Sequence, residues 1–176
     1  MSTKTKKIRF IQLVDEAFED LELWYPVYRL REAGIEVLLA GKEANRVYHG
    51  KYGVPATTDL RLADVNPEDF DGLLIPGGWA PDKLRRYPEV LDLARHMDQE
   101  NKIIGQICHA GWVLVSANTL KGKQVTSTPA IRDDLVNAGA HWVDEPVVTH
   151  GSLVSAKGPA DLPQYMRALL SLMALC

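Results

Sequence analysis

Cysteine is scarce in this 176-residue chain: there are two, Cys108 and the last residue, Cys176. Two thiols so placed build neither a disulfide framework nor a four-ligand zinc site, and the usage suits a reducing cytoplasm. An excess of one charge is missing too. With 20 basic and 23 acidic residues the net charge is −3, which provides no electrostatic footprint for sequence-specific nucleic-acid binding. The basic start, Lys4 to Lys7, is short and reads as a solubilising terminus. No uncharged apolar run approaches the roughly 18 residues that a membrane span needs. The first apolar stretch, Ile8 to Val14, contains Arg9 and Gln12 and lacks a small-residue cleavage site, so it does not read as a secretory signal. Repeats, linkers and low-complexity tracts are absent. No Cys/His/Asp cluster has ligand spacing, so no metal or organic cofactor is implied. What remains is the composition of an ordinary globule, and residues 1–176 are expected to form a single domain with a substantial core.

Hydrophobic periodicity gives the class. Ile8–Val14 reads as a buried strand, Phe18–Ala33 as a helix and Ile35–Ala40 as a second strand, with Gly34 as the helix stop. In the helix Leu21, Trp24, Tyr28 and Leu30 recur at three- and four-residue steps, acids crowd the first turn, and Pro26 is a kink risk. Strand, helix, strand with short joints implies a parallel pair. Val47–Thr58 suggests a small hairpin or an irregular β excursion, and Asn66-Pro67-Glu68-Asp69 a helix start or turn. Phe70–Ile75 is another buried strand and Pro88–Glu100 an amphipathic helix. Later come short strands at 122–126, 141–143 and 147–150, a helix over 131–138, a Gly151-Ser152 hairpin, and a last helix capped by Asp161. The order predicts an α/β sandwich with a mainly parallel sheet, whose sites lie at the carboxyl ends of its strands.

One stretch stands out chemically. Ile103 to Ile107 is a short apolar strand that ends in Cys108-His109-Ala110-Gly111, and an apolar helix follows from Trp112. Strand, sharp turn and helix with a nucleophile at the corner is the layout of a nucleophile elbow. Its alternative is a buried structural cysteine. A helix N-terminus should lower the Cys108 pKa from its usual value of about 8.5. Cys176 ends a terminal helix and is expected to be inert. Glu19, at the first strand's end, is the candidate carboxyl partner, against a reading as one of several helix N-terminal acids with Glu16, Asp20 and Glu22. The Gly77-Gly78 turn could bring its backbone N–H groups, with that of His109, to a substrate oxygen. His109 adjoins the nucleophile, though its alternative is a half-buried supporting role. His49, His96, His141 and His150 lack partner spacing and read as surface or structural.

Phe18-Glu19-Asp20-Leu21-Glu22-Leu23-Trp24-Tyr25-Pro26, Leu74-Ile75-Pro76-Gly77-Gly78-Trp79-Ala80-Pro81 and Ile107-Cys108-His109 closely resemble PfpI-type proteins. Their superfamily also holds the parkinsonism-associated deglycase and the class I glutamine-amidotransferase domains. The stretches at 126–135 and 158–163 look like PfpI-type segments as well. The resemblance spans almost the whole chain. It implies a flavodoxin-like three-layer α/β sandwich that forms a homodimer, or dimers assembled into a hexamer. It makes Cys108 the nucleophile, Glu19 the residue that shares a proton with the thiol, and His109 part of a triad completed by an acid of a neighbouring subunit. That acid is here Asp82, where family members often carry glutamate. Ala110-Gly111 replaces the common Gly-Pro.

Three functional readings follow. The first is a stress-protective enzyme in which Cys108 attacks a small 2-oxoaldehyde, or an adduct of one, as a glutathione-independent glyoxalase or a deglycase. The second is an intracellular cysteine peptidase with an intersubunit Cys108–His109–Asp82 triad. The third is a non-catalytic redox sensor. Amidotransferase activity lacks its late His-x-Glu pair, because His150 is followed by Gly151-Ser152.

Overall fold

The structure, a computed structural model, describes residues 7–174; Cys176, the expected inert thiol, lies outside them. β1 (Arg9–Leu13) is apolar enough to be buried on both faces, with Phe10, Ile11 and Leu13 fully enclosed, and so takes a central place in a covered parallel sheet. α1 (Asp20–Glu32) leads to β2 (Glu36–Gly41), which pairs parallel with β1 in register Arg9↔Glu36 to Leu13↔Ala40. β3 (Val47–His49) and β4 (Pro55–Thr57) form the expected antiparallel hairpin. β5 (Leu60–Arg61) closes one edge of the sheet. The Asn66-Pro67 signal becomes a single 3₁₀ turn over Pro67–Asp69, capped by the Asn66 side chain.

β6 (Gly72–Ile75), α2 (Ala80–Leu84), α3 (Pro88–Gln99), β7 (Ile103–Ile107) and α4 (Gly111–Ala117) carry the chain across the middle of the sheet. β8 (Gln124–Val125), α5 (Arg132–Asn137) and β9 (His141–Trp142) form a small parallel annex. β10 (Val147–His150) and β11 (Leu153–Ala156) are the late hairpin, and α6 (Leu162–Leu172) ends the fold. Strand order is β10-β11-β7-β6-β1-β2-β5, all parallel except β10. α1 and α6 pack together, as do α3 and α4, giving the expected three layers. Asp161 occupies the position before α6, but its side chain makes no capping hydrogen bond, contrary to expectation. Among the described residues no helix is long and apolar enough to cross a membrane.

α1 differs from its expected orientation. Its buried stripe is Leu23, Val27 and Leu30, with Pro26 beside it, whereas Leu21 and Tyr28 are 57% and 61% exposed. Trp24 is half-buried and stacks on Tyr28, with ring centroids 5.3 Å apart. The helix is apolar on two sides, and Leu23, Val27 and Leu30 form an i, i+4, i+7 stripe as regular as the one first singled out. Packing on the sheet selects between them. The choice turns Glu22, next to Leu23, toward the molecule's interior. Truncating Leu23 to alanine is therefore expected to cost about 2–4 kcal/mol in denaturant unfolding. Leu21→Ala should change stability by less than about 0.5 kcal/mol. Equal costs would contradict this orientation.

Candidate active site

β1, β6 and β7 end side by side, since Gln12 pairs with Leu74 and Leu74 with Gly105. The segments that leave the first two strands are clamped together. Phe18 and Gly78 form an antiparallel bridge, Glu19 N–H donates to the Gly77 carbonyl at 3.1 Å, and Trp79 N–H to the Ala17 carbonyl at 2.8 Å. Gly78 has φ +75°, and a Cβ there would lie 2.5 Å from the Ala17 oxygen and the Glu19 nitrogen. Only glycine fits so close a crossing.

Cys108 is the first residue after β7 and has φ 60°, followed by a 3₁₀ turn over Cys108–Ala110 and then α4. A left-handed conformation costs a non-glycine residue about 1–2 kcal/mol, so the corner is strained as a nucleophile elbow is. The backbone N–H groups of His109 and Gly78 both point at the sulfur. Of the amides that the sequence offered, those of His109 and Gly78 face the sulfur, while that of Gly77 is taken by Glu22.

The carboxyl beside the thiol is Glu22, where the sequence reading and the resemblance put Glu19. Glu19 sits at the N-cap of α1, with extended backbone, and its Oε2 accepts the Glu22 N–H at 2.9 Å. One helical turn on, Glu22 is 1% exposed. Its Oε2 accepts the Gly77 N–H at 2.8 Å, and the carboxyl also bonds the Cys108 side chain. Its Oε1 is buried and has no other partner of good geometry. Glu19 still borders the cavity, but its carboxylate serves the helix end.

Burial governs the protons. Desolvation, and then the neighbouring Glu19 charge, raise the Glu22 pKa to about 8. Desolvation, and then repulsion from an ionised Glu22, push the Cys108 thiol up to about 12, against the pull of the two amides. The expected acidification by a helix N-terminus is thus overridden. The loss of water and the neighbouring Glu22 charge outweigh the two amide hydrogen bonds at the corner. Two adjacent anions do not coexist here, and Glu22 keeps its proton at neutral pH.

His109 Nδ1 lies 3.3 Å from Cys108 Sγ. Burial, and then the charge of Lys51, lower its pKa, so the imidazole is neutral near pH 7. Its ring is flanked by Trp79 and Trp112, at centroid distances of 5.8 and 5.1 Å. Asp82 does not join them within the protomer. It lies on α2, is paired with Arg86 one helical turn away, and does not border the cavity. The cavity over the sulfur is small, about 140 Å³, and is lined by Glu19, Glu22, Lys51, Gly78, Cys108 and His109, with Tyr52, Trp79 and Pro159 around them. Lys51 and Tyr52 come from the β3–β4 turn, where no motif marks them; Glu22 was legible only as one of several helix acids.

Folded Glu22 holds a proton up to about pH 8, whereas an unfolded glutamate loses it near 4.5. Its neutral form therefore favours folding fully below about pH 4.5, and that contribution is lost as pH rises toward 8. Glu22→Gln keeps the acceptor for Gly77 and cannot ionise. Its stability relative to the native protein should rise between pH 5 and pH 8 by several kcal/mol, at about 1.4 kcal/mol per pKa unit. Glu19→Gln removes only one of the causes that raise the Glu22 pKa and should give a smaller rise. Parallel pH dependence of Glu22→Gln and the native protein in urea unfolding would contradict the assignment.

Deglycase PH1704 of Pyrococcus horikoshii is 43% identical over 166 residues, 94% of this chain and 99% of that protein. Deglycase PfpI of Pyrococcus furiosus is 42% identical with the same coverage. The putative cysteine protease YraA of Bacillus subtilis is 39% identical over 161 residues, covering 92% of this chain and 95% of its own. Among solved structures, a two-domain protein from Anabaena variabilis with DJ-1/ThiJ/PfpI-like and ferritin-like domains superimposes with a TM-score of 0.93 at 36% identity, over 96% of this chain and 48% of that one. Drosophila melanogaster DJ-1beta gives 0.88 at 28% identity, over 94% of this chain and 90% of its own. Residues 6–172 match the DJ-1/PfpI family, and the chain belongs to it.

Proposed function

We propose that this protein is a cysteine-dependent enzyme of deglycase or glyoxalase type, acting on 2-oxoaldehydes or the adducts they form. The observation that carries the reading is Glu22, a buried carboxyl bonded to the nucleophile, with a pKa of about 8. A carboxyl that gains and loses a proton near neutral pH beside a thiol suits proton shuttling between adjacent carbons. With methylglyoxal, Cys108 Sγ bonds to the aldehyde carbon, the carbonyl electron pair moves to oxygen, and that oxygen takes the thiol proton. The N–H groups of His109 and Gly78, which face the sulfur, are suited to stabilise the developing charge. Ionised Glu22 then removes the proton from the sulfur-bearing carbon and the neighbouring carbon receives one, while the adduct hydroxyl gives up its proton and the neighbouring carbonyl oxygen gains one, so that the hemithioacetal isomerises to a thioester. The resulting thioester is hydrolysed by water to lactate, freeing Cys108. A cavity of about 140 Å³ matches a three-carbon substrate.

A second reading is peptidase chemistry, favoured by the 3.3 Å approach of His109 Nδ1 to the sulfur. It needs self-association, as a dimer or a hexamer of dimers, to bring Asp82 of a neighbour to His109. The small cavity counts against a peptide substrate.

The test is turnover of methylglyoxal to lactate. Cys108→Ser and Glu22→Gln should each lose about a hundredfold or more in kcat, and Glu19→Gln less than about tenfold. In the native protein kcat should rise with pH up to about 8, where Glu22 ionises. Equal turnover by native protein, Cys108→Ser and Glu22→Gln would sink the reading. Peptide cleavage that depends on Asp82 and His109 but not on Glu22 would favour the second.

A further inference from the structure

The turn between β3 and β4 is built with unusual care for an exposed loop. The Asp20 carboxylate, 5% exposed at the start of α1, accepts the N–H groups of Tyr52 and Val54, both at 2.9 Å. Lys51 N–H donates to the Phe18 carbonyl at 2.8 Å, and Gly50 N–H to that of Val54 at 2.9 Å. A Cβ on Gly50 would fall 2.3 Å from the Asp20 carboxylate, so only glycine permits this approach. The same α1 that supplies Glu22 thus fixes the backbone from which Lys51 reaches the cavity.

Among the described residues, Lys51 is the only lysine or arginine lining the cavity. Among the described residues it has no carboxylate oxygen within 4.0 Å; its ammonium lies 5.1 Å from the centre of the Tyr52 ring. The Glu19 carboxylate is engaged with the helix N-terminus, and Glu22 is protonated at neutral pH. The charge of Lys51 nonetheless reaches the reacting groups, since it bears on both Glu22 and His109. A cation with no anionic partner, held at the edge of a small cavity beside a nucleophile, is placed to receive a ligand's anionic group.

We infer that Lys51 is a specificity-determining residue which binds the carboxylate of a small anionic aldehyde while Cys108 adds to its carbonyl carbon, glyoxylate being the simplest such ligand. The inference rests on the proposed aldehyde chemistry of Cys108. The step forms one S–C bond; the carbonyl π pair passes to oxygen, which takes the thiol proton, and the carboxylate is unchanged. Nothing is oxidised and nothing leaves. For glyoxylate the addition stops there, because the carbon beside the adduct is already a carboxylate, so this ligand binds reversibly and reports recognition without turnover.

The experiment follows protection of Cys108 from alkylation by iodoacetamide, read at the Cys108 peptide by mass spectrometry, during titration with glyoxylate or with uncharged glyoxal. In the native protein glyoxylate should protect at a concentration about tenfold below that of glyoxal, the size expected for one hydrogen-bonded charge pair. Lys51→Met should bring that ratio close to one, and Lys51→Arg should restore most of it. A ratio near one in the native protein, or one unaffected by Lys51→Met, overturns the inference while leaving aldehyde addition intact. Failure of both aldehydes to protect overturns the aldehyde chemistry and the inference with it. Lys51-dependent protection without methylglyoxal turnover supports the inference and removes the proposed turnover.

Discussion

A buried carboxyl and a buried thiol that compete for protons are the interaction on which this structure depends. Placing Glu22 at 1% exposure would be prohibitive as a bare anion. Gly77 N–H offsets part of the cost, and the proton that Glu22 retains offsets most of the rest. That arrangement demands close geometry. The Gly77 amide must face α1, the Gly78 amide must face the sulfur, and Cys108 must hold φ 60°. Gly77 and Gly78 follow β6, Cys108 follows β7 and Glu22 lies on the helix after β1, and the parallel register of β1, β6 and β7 brings the three strand ends together.

Scaffold and site are coupled through α1. Its inward stripe anchors the helix on the sheet, its N-cap carboxyl steadies the first turn, and the next carboxyl along is Asp20, which ties down the β3–β4 turn. Three neighbouring acids of one helix start, Glu19, Asp20 and Glu22, therefore do three separate jobs. One caps, one fixes a loop, and one faces the nucleophile. The exposed apolar side of the same helix, with Leu21, Tyr25 and Tyr28, takes no part in the protomer's core.

Much of this was legible in the sequence. Buried strands bounded by glycine and proline, with amphipathic helices between them, specify a parallel sandwich, and a strand ending in Cys108 before small residues specifies the elbow. The assignment of Glu19 went astray for a local reason. α1 starts at Asp20, so Glu19 has extended backbone and its side chain folds back on the helix end, while Glu22 faces inward with Leu23. Periodicity could not choose between the two apolar sides of α1, and that choice decides which acid enters the interior. The direction of the Cys108 shift was also beyond the sequence, because a helix dipole can be guessed from spacing whereas desolvation depends on what covers the sulfur. Lys51 was invisible, since a lysine in a polar turn has no pattern until the loop is placed over the cavity. Asp82 entered through resemblance alone, and within one protomer it is engaged with Arg86.

The central claim is that Glu22 holds the proton next to Cys108. Carbon-13 NMR of protein labelled at the glutamate side-chain carboxyls, titrated from pH 4 to 10, addresses it directly. One carboxyl should titrate near pH 8 and disappear from the spectrum of Glu22→Gln. Titration of every glutamate in the ordinary range near 4–5, or a raised resonance that survives in Glu22→Gln and is lost in Glu19→Gln, would contradict the account.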